Sequence, residues 1–203
     1  MAVVSGGTTL IDNGALDAGV PTGSLILLST QTASASATID FTSGIDSTYD
    51  SYVFKFINIH PQTDAQNLTF QANVSGGSGY NETITSTFFY AYHDEADTGT
   101  TLGYVTSFDQ AQGTAFQKLS PYLVGNENDS SLSGSLNLFN PSSTTYVKHF
   151  IANTQEVNSS GSPFSVNAYV SGYFNDTNDL TNIKFQMSSG NIDAGQILLY
   201  GIN

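Results

Sequence analysis

No cysteine, tryptophan or arginine occurs among the 203 residues, and the only four cations are Lys55, Lys118, Lys148 and Lys184. Without cysteine there are no disulfides, no thiolate metal sites and no thiol nucleophile, and the redox compartment stays open. Without arginine the usual bidentate clamp for phosphate or carboxylate is missing. Four lysines against 17 carboxylates give a net charge of -13. That balance excludes nucleic acid and membrane insertion through anionic lipid, because both need basic residues to neutralise phosphate. The longest apolar run, Leu25 to Leu28, falls far short of the ~20 residues of a membrane helix. The opening residues Met-Ala-Val-Val-Ser-Gly-Gly have neither a basic nor a long apolar stretch. They predict a protein made in a cytoplasm without a signal peptide, so the six Asn-x-Ser/Thr sequons have no route to glycosylation.

What is present reads as β structure. Hydrophobic residues are 39% of the chain and charged ones 10%, so the acidity is not that of a disordered tail and a core can be buried. Asp, Asn, Ser, Thr and Gly fill the polar positions while Glu, Lys and Arg are scarce, a balance that disfavours helix and favours turns. Residues 1–23 carry repeated glycine and few large side chains; they predict a short extended N-terminal arm, either frayed or tied down on something else, followed by one domain over 24–203. From Ser24 onward, apolar-rich segments alternate with turn clusters. Strands are expected at Leu25–Ser29, Thr38–Thr42, Tyr52–Ile59, Leu68–Val74, Leu132–Phe139, Tyr146–Ala152, Phe164–Phe174, Ile183–Met187 and Gln196–Tyr200. Weaker patterns lie at Thr83–Tyr92, Leu102–Phe108 and Phe116–Val124. Tyr52–Ile59 is apolar on both faces except at Lys55 and Asn58, which marks a central or covered strand. The best short helical stretch is around Ala91–Ala96. The expected fold is an all-β, antiparallel β-sandwich, jelly-roll-like, of about nine to twelve strands.

Reactive groups are few. His60 precedes Pro61 at a strand end and reads as a turn residue; His149 reads as a strand-surface or core-edge histidine, with Lys148 on the opposite face. No Gly-x-Ser-x-Gly elbow, zinc helix or Walker loop occurs, so no catalytic or cofactor-binding residue is assigned. The densest set of possible ligands is Asp94, Glu95 and Asp97 beside His93, whose oxygens could hold Ca²⁺; Asn126–Asp129 and Asn175–Asp179 are similar oxygen-rich loops. A solvated acidic loop is the plainer reading of all three. Rings cluster at Phe88, Phe89, Tyr90 and Tyr92, with Tyr49, Tyr52, Tyr104, Tyr122, Tyr169, Tyr173 and Tyr200 spread along the strands. Such rings serve a core or a subunit interface more often than a sugar site.

Four segments carry a resemblance: STYDSYVFKFINIHP at Ser47–Pro61, YAYHDEAD at Tyr90–Asp97, LFNPSSTTYVKHF at Leu138–Phe150 and MSSGNIDAGQILLYGI at Met187–Ile202. Together they cover about Gly23 to Ile202 and resemble virion structural proteins of tailed bacteriophages, especially marine ones. The resemblance implies a β-rich tail-fibre or adhesin-type module, made in the host cytoplasm and carried on the virion. It implies a homotrimer without catalytic residues, bound to a tail or capsid protein through residues 1–23 and meeting a host surface polysaccharide. Its alternatives are a capsid decoration or head-fibre protein, a lectin-like carbohydrate-binding module, and a polysaccharide-degrading phage enzyme.

Overall fold

The computed structural model describes residues 2–12, 15–16, 25–158 and 163–202. Within the N-terminal segment, β1 (Val3–Ser5), β2 (Thr8–Asp12) and β3 (Ala15–Leu16) pair as a small antiparallel sheet. Over these residues the expected extended arm is folded back into paired strands. Gly6 and Gly7, at φ 59 and 85, supply the two left-handed residues of a tight hairpin turn between Ser5 and Thr8. The rest of the arm, residues 1, 13–14 and 17–23, lies outside the described residues, as does Ser24, the first residue of the predicted domain.

The remaining chain is an all-β sandwich in which every described strand pairing is antiparallel. Its strands are β4 (Leu25–Thr32), β5 (Ile39–Phe41), β6 (Ser51–Pro61), β7 (Leu68–Val74), β8 (Ile84–Asp94), β9 (Thr100–Tyr104), β10 (Ala111–Gly113) and β11 (Gln117–Lys118). Then follow β12 (Leu132–Phe139), β13 (Lys148–Val157), β14 (Phe164–Phe174), β15 (Leu180–Met187) and β16 (Ile192–Ile202). The large sheet runs β10-β8-β14-β13-β12-β6-β16-β4, with β9 also on β8; the small sheet runs β11-β7-β15-β5. Central placement of β6 between β12 and β16 accounts for its apolar residues on both faces.

The sheets meet through phenylalanine. Phe185 of the small sheet stands 5.3 Å from both Phe54 and Phe56 of β6 and 6.2 Å from Phe41, and it stacks on Phe70 at 6.3 Å. Phe70 in turn meets Phe150 at 5.1 Å and Phe174 at 6.0 Å across the gap. Edge-to-face contacts dominate, the arrangement that ring quadrupoles prefer.

Several predicted elements shift for identifiable reasons. The stretch at Ala91–Ala96 is not helical: β8 runs on to Asp94 and a turn follows. β13 extends beyond Ala152 because Thr154 and Glu156 continue its buried face as polar residues, which hides the alternation. Phe116–Val124 yields only β11 and an isolated bridge at Val124; the rest of that segment closes over the sandwich. Phe108 belongs to a single 3-10 turn, Thr106–Phe108, packed edge-on against Phe88 at 5.3 Å.

β6, β12 and β16 break register together, near Asn58, between Leu132 and Gly134, and on either side of Ala194. Asn58 takes φ 50 and Gly195 φ 110; a Cβ on Gly195 would run into the Asn58 carbonyl. Such aligned bulges bend neighbouring strands in step and re-aim the side chains beyond them. All four lysines lie inside strands. Lys118 sits 3.9 Å over the Phe108 ring, and Lys184 bridges Asp40 at 3.4 Å while covering Tyr80. Lys148 is buried and donates from Nζ to the carbonyls of Tyr146 and Asp176. Lys55 alone is exposed, 5.9 Å from the Tyr200 ring.

Candidate functional site

The sandwich has two unlike ends. At one, Leu25 pairs with Ile202, Ile202 with Ser51, and Ser51 with Phe139, so the chain enters β4 and leaves β16 there. At the other, beyond the aligned bulges, lie His60, Asp193, the loop after Val124 and the ends of β8 and β13. Ser51 and His60 are nine residues apart on one strand, which separates the two ends by about 30 Å.

The far end is polar and acidic. A hollow of about 470 Å³ is lined by Asn58, His60, Asn128, Asp129, Ser130 and Asp193. On the other side of the same loop, Glu95, Glu127 and Asp129 border a second hollow of about 220 Å³. His60 lies within β6, which continues through Pro61, and is not a turn residue. Its Nε2 is 3.2 Å from the Glu127 carbonyl and its Nδ1 is 3.6 Å from Asp193. Sequence reasoning missed this pairing, because 133 residues separate its members and each looks ordinary alone.

Both ring nitrogens of His60 therefore face acceptors, and its described hydrogen bond goes to a backbone carbonyl rather than to a hydroxyl. A Ser-His-Asp relay needs a nucleophilic hydroxyl on the ring nitrogen opposite the carboxylate.

Asp94, Glu95 and Asp97 are not brought together. Asp94 accepts from the Thr98 N–H at 2.8 Å and from the Thr98 hydroxyl, closing its own turn. These bonds, with the Gly99 N–H, hold its carboxyl below the ordinary range. Asp97, at φ 56, pairs with His93 at 3.3 Å on the surface. Among the described residues no group of three His, Asp or Glu side chains is placed to hold an ion. The melting midpoint is expected to be the same in EDTA and in millimolar Ca²⁺. A rise with Ca²⁺ of more than about 2 °C would restore the loop as a metal site.

The tyrosines divide. Tyr52 is buried, and its hydroxyl donates to the Asp46 carbonyl at 2.8 Å; Tyr49 packs edge-on against it at 5.8 Å. Tyr122 donates to the Tyr90 hydroxyl at 3.2 Å and closes over Tyr92 and Phe164. Tyr104, Tyr169, Tyr173 and Tyr200 stand on the outer face of the large sheet. There Phe89 and Tyr169 stack on each other at 4.9 Å and 10°. A sugar stacks on a ring face, and these two facing surfaces are already used on each other. Compared with known protein families, with curated proteins and with solved structures, the chain matches none.

Proposed function

We propose that this chain is a non-enzymatic structural protein of a tailed-bacteriophage virion: a homotrimeric tail-fibre or adhesin-type module, made in the host cytoplasm and attached to the particle by residues 1–23. Beside the sequence resemblance, the observation that carries this reading is the polarity of the sandwich. The chain enters β4 at one end, and the acidic loops with the His60–Asp193 pair lie about 30 Å away at the other. An attached module needs this division, with a tether at one end and open surface loops at the other. The bonding of His60 to a carbonyl supports the non-enzymatic part.

The jelly-roll-like reading belongs to the same proposal. From β4 to β7 the chain alternates between the large and small sheets, and it does so again at β11, β12, β15 and β16. The orders β4-β16-β6-β12 and β5-β15-β7-β11 are what two interlocked Greek keys produce.

Deleting residues 1–23 is expected to abolish incorporation into particles while the melting midpoint of the sandwich moves by less than about 3 °C. Normal incorporation of the truncated protein would overturn the attachment role. Antibody labelling of imaged particles distinguishes the tail from the capsid surface. Release of reducing sugar from host polysaccharide would overturn the non-enzymatic reading.

A further inference from the structure

The outer face of the large sheet carries the most unusual charge distribution in the molecule. Its outward side chains line up in cross-strand rows, such as Leu27, Tyr200, Val53, Asn137, Ile151, Ser171 and Thr87 across seven strands. The next row runs Thr30, Leu198, Lys55, Ser135, Asn153, Tyr169, Phe89 and Tyr104. The rows on either side run from Gln196 through Ile57, and from Ile202 through Ser51 to Phe139. In a chain with 17 carboxylates, none stands in these rows, and Lys55 is the one formally charged side chain. Yet the face is not simply polar. Leu27 is 53% exposed, Ile57 43%, Phe89 40% and Tyr169 43%.

We infer that this face is the surface through which copies of the chain pack against one another. The inference deepens the proposed homotrimer and rests on it, by assigning the contact surface.

Three features select a copy of the chain as the occupant. First, charge: two chains of -13 repel, and they can approach closely only where carboxylates have been cleared away, leaving like charges at the perimeter. A basic partner would need acids here and an acidic partner a cluster of cations, and the rows hold no carboxylate and the single cation Lys55. Second, area: eight strands about 4.8 Å apart, read over four rows, give a footprint of roughly 900 Å², about half of what a ring protomer gives its two neighbours at ~800 Å² each. Third, layout: apolar side chains form two lobes, an aliphatic one with Leu27, Leu198 and Ile57 and an aromatic one with Phe89, Tyr104 and Tyr169. Ser133, Ser135 and Asn137 of β12 run between them. A protomer in a three-fold ring has two neighbours and offers each a different surface, which two lobes provide.

The test is sedimentation of the full chain and of Ile57→Glu and Phe89→Glu, one carboxylate in each lobe. The wild type is expected to sediment as a trimer and each variant as a single protomer. Unchanged circular dichroism would show that the variants fold. A lone thiol, Asn137→Cys, provides a second readout in a chain without cysteine. Its reaction with maleimide is expected to be at least tenfold slower in the wild-type background than in the Phe89→Glu background. A trimeric wild type with trimeric variants and a freely reactive thiol would overturn this face while leaving the homotrimer standing. A monomeric wild type at tens of micromolar would overturn both. Binding of a neutral glycan lost in Phe89→Ala would transfer the face to carbohydrate recognition.

Discussion

Phe185→Ala is expected to cost about 3–5 kcal/mol, the range for removing a fully enclosed ring, and to lower the melting midpoint by roughly 10 °C in a domain of this size. The reason is its position. Phe185 comes from the small sheet and touches Phe54 and Phe56 of the large sheet, together with Phe41 and Phe70 in its own. No small shift of either sheet refills the space left by a ring held among four others, so the cavity persists. Tyr146 is the comparison, because it is 68% exposed in the loop before β13. Tyr146→Ala is expected to stay within about 0.5 kcal/mol of wild type. Chemical denaturation of both variants measures the difference, and a Phe185→Ala loss below about 1.5 kcal/mol would show that the sheets close over the gap.

Glu156 gives the second large effect, through pH. Its carboxyl is buried on the inner face of β13, accepts the Tyr122 N–H at 3.0 Å through Oε1, and leaves Oε2 without a partner. Burial pushes its pKa well above 4.5, against the lowering effect of the Tyr122 and Ser120 hydrogen bonds. A carboxyl with a raised folded-state pKa contributes its full stability below the unfolded value. That contribution falls as pH rises from about 4.5, by ~1.4 kcal/mol per unit, until the folded-state pKa is passed. Glu156→Gln keeps the acceptor for Tyr122 and removes the titration. At pH 7 the variant is expected to be more stable than the wild type, with the gap closing as pH falls toward 4.5. Parallel stability curves across that range would refute the role of Glu156. The Asp94 turn has the opposite sign: its stabilisation is present above pH 3.8 and lost on further acidification.

The sequence made the sandwich readable wherever inward residues were apolar. Leu68–Val74, Leu132–Phe139 and Phe164–Phe174 run between the same residues as predicted. It became opaque where the inward face turned polar. Glu156 and Thr154 on β13 interrupt the alternation. Lys148 was placed on the face opposite His149, but nothing in its neighbours announced that this face is the core. The His60–Asp193 pair depends on bulges in three strands, and a bulge leaves little trace beyond a glycine or an asparagine. The acidic loops were visible as compositions. Their geometry was not, because whether Asp94 meets Asp97 or Thr98 is decided by a single turn.

The placement of the lysines has a consequence for survival outside a cell. Trypsin-like proteases cut only after lysine or arginine, and they must draw an extended, unpaired stretch of chain into their cleft. This chain offers four such bonds: three sit within β6, β13 and β15, and the fourth leaves the end of β11, where the Leu119 N–H donates to the Leu68 carbonyl. The loops that face solvent, at Asp94–Gly99, Asn126–Ser131 and Asn175–Asp179, contain no such bond at all. Cleavage by that whole class of enzymes therefore waits on the opening of a strand rather than on the motion of a loop.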